Sequence, residues 1–287
     1  MSRNEPDVPI PNPATESAAS HPILFSVEDG VAWIVINRPD VRNSLTPDNR
    51  DTIIDHLDEA AERLDVGAVV LTGTGGSFCT GADLRSPRTP RARPDGAPAR
   101  VAGEVARGIR TNAQRLITTI MDCETPVIAA VNGVAAGMGA HLALACDLLI
   151  AADTASFIEV FVRRGLVPDA GGAYLLSRTL GPHRAKELLF FGESLDAVTA
   201  HSMGLVNRVV PADDLLAFAG EWAATLAHGP TRSISLCKSL VNRSLDMNRT
   251  DSFNLEALSQ DLNMTTADGQ EGVRSFVERR PAKWRGW

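Results

Sequence analysis

The stretch from Thr125 to Asp147 offers the residues best placed to do chemistry with main-chain atoms. Val127 to Val131 is a short apolar run with β-branched residues, bounded by Pro126 and by Asn132-Gly133, and it reads as a buried strand closed by a turn. Gly137-Met138-Gly139 follows, and Leu142, Ala145 and Leu149 then recur at spacings of three and four, as on one helix face. A strand therefore feeds a glycine-bracketed turn that opens a helix. The first N–H groups of a helix lack internal partners and sit at the positive end of its dipole. Flanking glycines let a ligand approach that backbone closely. Two readings follow: an oxyanion or anion site built from main-chain amides, or a tight strand-to-helix connection whose glycines serve packing.

A second glycine-rich loop, Thr72 to Asp83, raises the question of phosphate binding, and the spacing answers against it. No Gly-Lys-Ser/Thr follows, so it is not a P-loop. No G-x-G-x-x-G is completed here, or at Gly137, where Leu142 occupies the last place. No G-x-S-x-G marks a nucleophile elbow. A net charge of −7 argues against nucleic acid as the main partner, while local Lys and Arg can still hold a small anion. The four cysteines, Cys79, Cys123, Cys146 and Cys237, form no C-x-x-C, so neither a disulfide framework nor a structural zinc site is expected. No apolar run approaches the roughly 18 residues of a membrane span. Met1 to Pro22 lacks a signal-type apolar stretch and reads as a flexible tail, so a reducing, cytoplasmic setting without membrane contact is expected.

The elements that must position these groups follow the chain. Val31 to Ile36 is a strand, paired with Phe25 to Glu28 across Asp29-Gly30. Thr46-Pro47 caps a helix from Pro47 to Leu64, whose apolar face is Ile53, Ile54, Leu57, Ala61 and Leu64. Ala68 to Leu71 is a strand. Arg85 to Arg100, rich in Pro and Arg, is an exposed, mobile connection, and a long helix is expected from about Val101 to Met121. Leu148 to Ala151 is a strand, and helices are expected over Ala173 to Leu180, His183 to Phe191 and Ala197 to Met203. Val206 to Val210 is a last strand, and only helical patterns follow Asp213. Strands alternating with helices, then a helical end, imply an α/β core.

With these pieces in order, the chain resembles the enoyl-CoA hydratase/isomerase (crotonase) superfamily. Asn37-Arg38-Pro39 with Arg42-Asn43-Ser44-Leu45, Ala68 to Asp83, Thr125 to Asp147, Ala200 to Val210 and Glu271 to Arg280 are similar, block by block, to that family's segments. The likeness runs from about residue 23 to the end. Among its members, Phe161 to Asp169 is most similar to the ring isomerases of phenylacetyl-CoA breakdown, which also lack the two hydratase glutamates. The resemblance implies an α/β spiral of repeated β-β-α units over residues 23–212, after a tail at 1–22. It also implies a C-terminal helical region at 213–287 that packs homotrimers, often paired into hexamers. It implies an acyl-CoA thioester substrate, with coenzyme A inside the substrate and no separate cofactor or metal. The thioester oxygen would sit between the N–H groups of Ala82 and Met138. Met138 stands where the family has glycine, and its side chain is expected to reshape the acyl pocket.

The reaction is where the resemblance divides. The two hydratase glutamates fall on His141 and Phe161, so neither carboxylate is present. Glu159, two residues earlier, shares a face with Phe161 in an extended segment but is displaced by roughly 7 Å. Asp169 matches an acidic position used by isomerase and dehalogenase members. Its other reading is a helix N-cap ahead of Ala173. Burial against Phe161, Leu166 and Val167 would fit Asp169 for proton transfer. His141, near a helix N-terminus, is a further candidate, with a smaller share than Asp169. Arg42, Asp83 and, from a neighbouring subunit, Phe276 and Arg279 are candidates for the CoA moiety, and Phe161 and Leu166 for the acyl pocket. The expected reaction is double-bond isomerisation through Asp169. The alternatives are hydration by Glu159 or His141, and a non-catalytic acyl-CoA binder.

Overall fold

The computed structural model describes residues 21–85 and 93–287. The tail and the middle of the Arg85–Arg100 connection lie outside the described residues. In chain order the strands are β1 (Ile23–Glu28), β2 (Val31–Ile36), β3 (Ala68–Gly73), β4 (Ser77–Cys79), β5 (Val127–Val131), β6 (Val134–Ala136), β7 (Leu148–Ala152), β8 (Ser156–Ile158), β9 (Ser194–Asp196) and β10 (Arg208–Val210). The helices are α1 (Pro47–Glu62), α2 (Glu104–Arg110), α3 (Ala113–Asp122), α4 (Met138–Ala145), α5 (Gly172–Phe191), α6 (Ala197–Ser202), α7 (Leu215–Ala227), α8 (Thr231–Ser244), α9 (Arg249–Asn263) and α10 (Ala267–Glu278).

One sheet runs β1-β2-β3-β5-β7-β10 and a second runs β4-β6-β8-β9. Strands β1 and β2 form the antiparallel hairpin expected across Asp29-Gly30, and β2 through β10 in the first sheet are parallel. Each repeat lays one strand in the first sheet, the next in the second, and then a helix: β3-β4 before α2 and α3, β5-β6 before α4, β7-β8 before α5. This is the β-β-α spiral. Its parallel strands are covered on both faces, which is why β5 is an unbroken apolar run with every residue buried. Helix α1 starts on a reciprocal cap, Thr46 accepting from the Asn49 N–H and Asn49 from the Thr46 N–H, each at 3.2 Å.

Three expectations change. The single helix from Val101 to Met121 is two, α2 and α3, broken at Thr111-Asn112. Helix α3 buries Ala113, Leu116, Ile117 and Ile120, whereas α2 buries nothing, so no packing holds the two on one axis. The core does not end at residue 212. Helix α7 buries Leu215, Ala219 and Ala223 against the first sheet and belongs to the spiral's core. The peripheral helical region therefore begins with α8. Asp169 is not a cap, because α5 begins after Gly171, which takes the N-cap place.

Helices α8 to α10 bury few residues, and Leu245, Phe253, Leu258 and Phe276 stand exposed. One buried contact ties α8 inward. The Lys238 ammonium donates to the carbonyls of Ile120 (3.0 Å) and Thr125 (3.3 Å) and pairs with the Asp147 carboxylate at 2.7 Å. That carboxylate also accepts the N–H of Val127 at the start of β5. Among the described residues no helix is long and apolar enough to cross a membrane, and no three His, Cys, Asp or Glu residues cluster as metal ligands.

Candidate active site

The two glycine-rich turns meet. Strand β4 pairs with β6, Cys79 opposite Ala135, which brings the loop from Thr80 to Asp83 against the turn that opens α4. The approach is backbone to backbone. A Cβ on Gly139 would lie 2.0 Å from the Cys79 carbonyl oxygen, and one on Gly81 would lie 3.5 Å from the Met138 nitrogen. Gly137 has φ 55° and ψ −124°, a conformation that only glycine adopts readily.

Both candidate amides are left without a main-chain acceptor among the described residues. The Leu45 N–H donates to the Gly81 oxygen at 2.8 Å and the Asp83 N–H to the Leu45 oxygen at 2.9 Å. Ala82 thus sits opposite Leu45 in a parallel bridge, with its own N–H turned the other way. Met138 is the first residue of α4, and the first intrahelical bond is made by the His141 N–H to the Gly137 oxygen at 3.1 Å. The Met138 side chain turns toward α1. It is buried, with its sulfur 3.6 Å from Nη1 of the buried Arg50 on α1.

One helical turn after Met138, His141 is fully buried. Its Nε2 lies 2.9 Å from a carboxylate oxygen of Glu159, just beyond β8, with side-chain exposures of 0% and 6%. Glu159 therefore does not stand in for a carboxylate at Phe161. It turns to His141 instead. The Phe161 ring stacks on the imidazole, centroids 5.3 Å apart and planes within 10°. Phe161 also overlies the α4 turn, its ring 3.6 Å from where a Gly137 Cβ would be. Gly172, the first residue of α5, closes on the other side. A Cβ there would fall 2.1 Å from His141 Nε2, so only glycine fits. His141 Nδ1 is buried without a hydrogen-bond partner.

Asp169 sits three residues before Gly172, partly buried, its carbonyl accepting from the Gln114 side chain at 3.2 Å. The apolar wall expected around it is not there. Leu166 is 54% exposed and Val167 79% exposed, because the short turn Val162–Arg164 carries them outward. Asp83 pairs with Arg38 at 3.0 Å and accepts the Arg85 N–H, which makes its carboxylate a brace for the loop rather than a free contact for CoA. Arg42 is exposed beside that loop, with its carbonyl accepting from Thr80. Phe276 and Arg279 lie exposed at the end of α10. Burial pushes the Cys79 thiol up to about 12, so it offers no nucleophile beside the turns.

Sequence reasoning missed Arg50, Lys238 and the fit of Gly172 on His141. Arg50 had a signal, a charge three residues before Ile53 on an otherwise apolar helix face. The other two depend on contacts between distant segments.

The chain was then compared with known proteins. The sequence model of one family, described as Enoyl-CoA hydratase/isomerase, matches residues 26–286. A Rhodobacter capsulatus protein named probable enoyl-CoA hydratase is 38% identical, over 93% of this chain and 98% of its own. The Escherichia coli 1,2-epoxyphenylacetyl-CoA isomerase is 35% identical, over 92% and 98%. Among solved structures, an enoyl-CoA hydratase from Bacillus anthracis superposes with a TM-score of 0.83 at 30% identity, over 93% of this chain and all of that one.

Proposed function

The chain belongs to the enoyl-CoA hydratase/isomerase family, and from that premise we propose that this acyl-CoA enzyme shifts a double bond in its substrate's acyl chain. The thioester oxygen lies between the N–H groups of Ala82 and Met138. An α-proton of a thioester is only weakly acidic, and two fixed donors stabilise the enolate left when it departs. One such donor is worth about 100- to 1000-fold in rate. Asp169 moves the proton from one acyl carbon to another. No cofactor is needed beyond the coenzyme A of the substrate, with Arg42, and Phe276 and Arg279 of a neighbouring subunit, against the nucleotide.

The observation that carries isomerisation over hydration is the stack of His141 on Phe161. By the resemblance these are the two places where hydratases keep glutamates. Water addition needs one group to activate water and another to protonate the α-carbon. Here one place is a hydrocarbon ring, and the nearest carboxylate, Glu159, is buried and bonded to His141. Isomerisation needs a single proton carrier. The names of the relatives divide between hydratase and isomerase, so the reading rests on these residues.

The test is turnover of a panel of medium-chain and aromatic enoyl-CoAs, with products resolved by mass and double-bond position. Shifted double bonds should exceed hydrated products. Asp169→Asn should lose about 100-fold or more of the rate and keep thioester binding. A predominance of hydrated product overturns isomerisation. Tight binding without turnover leaves a non-catalytic acyl-CoA binder, and full activity of Asp169→Asn removes that residue from the mechanism.

A further inference from the structure

Residues 281–287 fold back along α10 and are fastened to it by main-chain groups. The Ala267 N–H donates to the Trp287 oxygen at 3.0 Å, and the buried Asp268 carboxylate accepts the N–H groups of Arg285 (2.7 Å) and Gly286 (2.8 Å). The Thr231 hydroxyl donates to the Gly286 carbonyl at 3.2 Å, which ties the segment to α8 as well. Between α10 and this segment lies a cleft of about 380 Å³, the scale of a small-molecule site. Arg274, Arg280, Lys283 and Arg285 line it, with Asp268 and Glu271. Four cations against two carboxylates give the cleft a charge of +2 in a chain whose net charge is −7.

Both carboxylates are already engaged. Asp268 holds the two main-chain N–H groups, and Glu271 meets Arg280 and the Lys283 N–H. Arg280 also pairs with Glu278 at 2.5 Å. Among the described residues, no carboxylate is in ion-pair contact with Arg274, Lys283 or Arg285. These three exposed cations line one concavity from both walls, Arg274 from the helix, Lys283 and Arg285 from the returning segment. Gathered like charges repel one another, and an anion placed among them is attracted to all three at once. Their chemistry suits phosphate oxygens, the guanidinium as a fork of donors and the ammonium as a point charge. We propose that this cleft binds a small phosphate anion, at a site separate from the acyl-CoA site proposed above. At about 100° per residue, Arg274 lies about 160° round α10 from Phe276, so the cleft and the contact proposed for coenzyme A are on different sides of the helix. The bound anion joins α10 to the returning segment and braces the link that Glu271 and Arg280 hold.

Calorimetry with inorganic pyrophosphate, at neutral pH and constant ionic strength, should show one saturable site per chain. Arg274→Gln and Lys283→Gln should each weaken binding about tenfold, the low end for a charge-assisted hydrogen bond. Adding Arg285→Gln to that pair should remove measurable binding. All three side chains are exposed, so the variants should keep the wild-type Tm without ligand. Arg184→Gln changes an exposed cation on α5 outside the cleft and should bind as the wild type does. Pyrophosphate should also slow hydrogen exchange over residues 267–287 and leave β5 unchanged, which locates the site without a substitution. Inorganic phosphate should compete with pyrophosphate, and one equivalent of coenzyme A should not. Displacement by coenzyme A would give the cleft to the substrate's own phosphates and overturn a separate site. No saturable binding, or an equal loss in Arg184→Gln, would overturn the site itself. None of these readouts needs acyl-CoA turnover, so a failure here is distinct from a failure of the function proposed above.

Discussion

At Met138, where the resemblance places a glycine of the family, a long side chain stands, and the role proposed for this residue uses only its amide. The side chain is buried, with its sulfur against Arg50. Met138→Gly should therefore keep acyl-CoA binding and turnover. Met138→Pro, which removes the donor, should cost about 100- to 1000-fold in rate, read from steady-state kinetics on the same substrate. The two glycine turns that carry these amides were legible in the sequence because glycine spacing reports on backbone directly. The surroundings of Asp169 were not. Leu166 and Val167 are apolar in the sequence, but only the course of the chain after β8 decides whether anything covers them. The contact between His141 and Glu159 was equally illegible, since it joins two elements 18 residues apart.

Elements whose ends carry their own chemistry were read nearly to the residue. Thr46-Pro47 opens α1, and Asp29-Gly30 joins β1 to β2. Boundaries set by tertiary packing were missed, as at the break between α2 and α3. Helix α10 shows how a segment is held by side chains instead. Both carboxylate oxygens of Glu271 meet the Arg280 guanidinium, at 2.5 and 2.9 Å, and one also accepts the Lys283 N–H at 3.0 Å. Arg280 first, then that N–H, holds the Glu271 carboxyl down to about 2 from its usual 4.5. A depressed carboxylate stabilises the fold above its ordinary pKa and loses that contribution as pH falls through the folded value. The link between α10 and the last residues should therefore loosen between about pH 4.5 and pH 2. Hydrogen exchange over residues 267–287 should rise in that window before exchange in β5 does. In Glu271→Gln the segment should exchange faster at neutral pH and lose most of that acid dependence.

For the whole molecule, the spiral was legible because several blocks fell in family order, not because any periodicity revealed it. What the last helices cover was not legible, since one chain does not contain the answer. Leu245, Phe253, Leu258 and Phe276 remain exposed across α8 to α10, a spread of apolar surface that an isolated chain seldom presents to water. The resemblance implies a neighbouring subunit over these helices, and that expectation predicts a sedimentation mass that is a multiple of three chains. A monomer at every concentration would refute that assembly.

The carboxylate of Asp147 serves two parts of the chain, taking the Val127 N–H at the start of β5 and the Lys238 ammonium from α8. We expect the repeat that presents Met138 and His141 to assemble first and the outer helices to dock on it afterwards. Lys238→Met leaves the partly buried Asp147 carboxylate with the Val127 N–H but without its cation, and should cost roughly 3 kcal/mol, the low end for a broken buried pair. Because the contact forms late, that loss should appear as faster unfolding with a nearly unchanged refolding rate in stopped-flow experiments. Slowed refolding would instead put the docking of α8 at the start of the pathway.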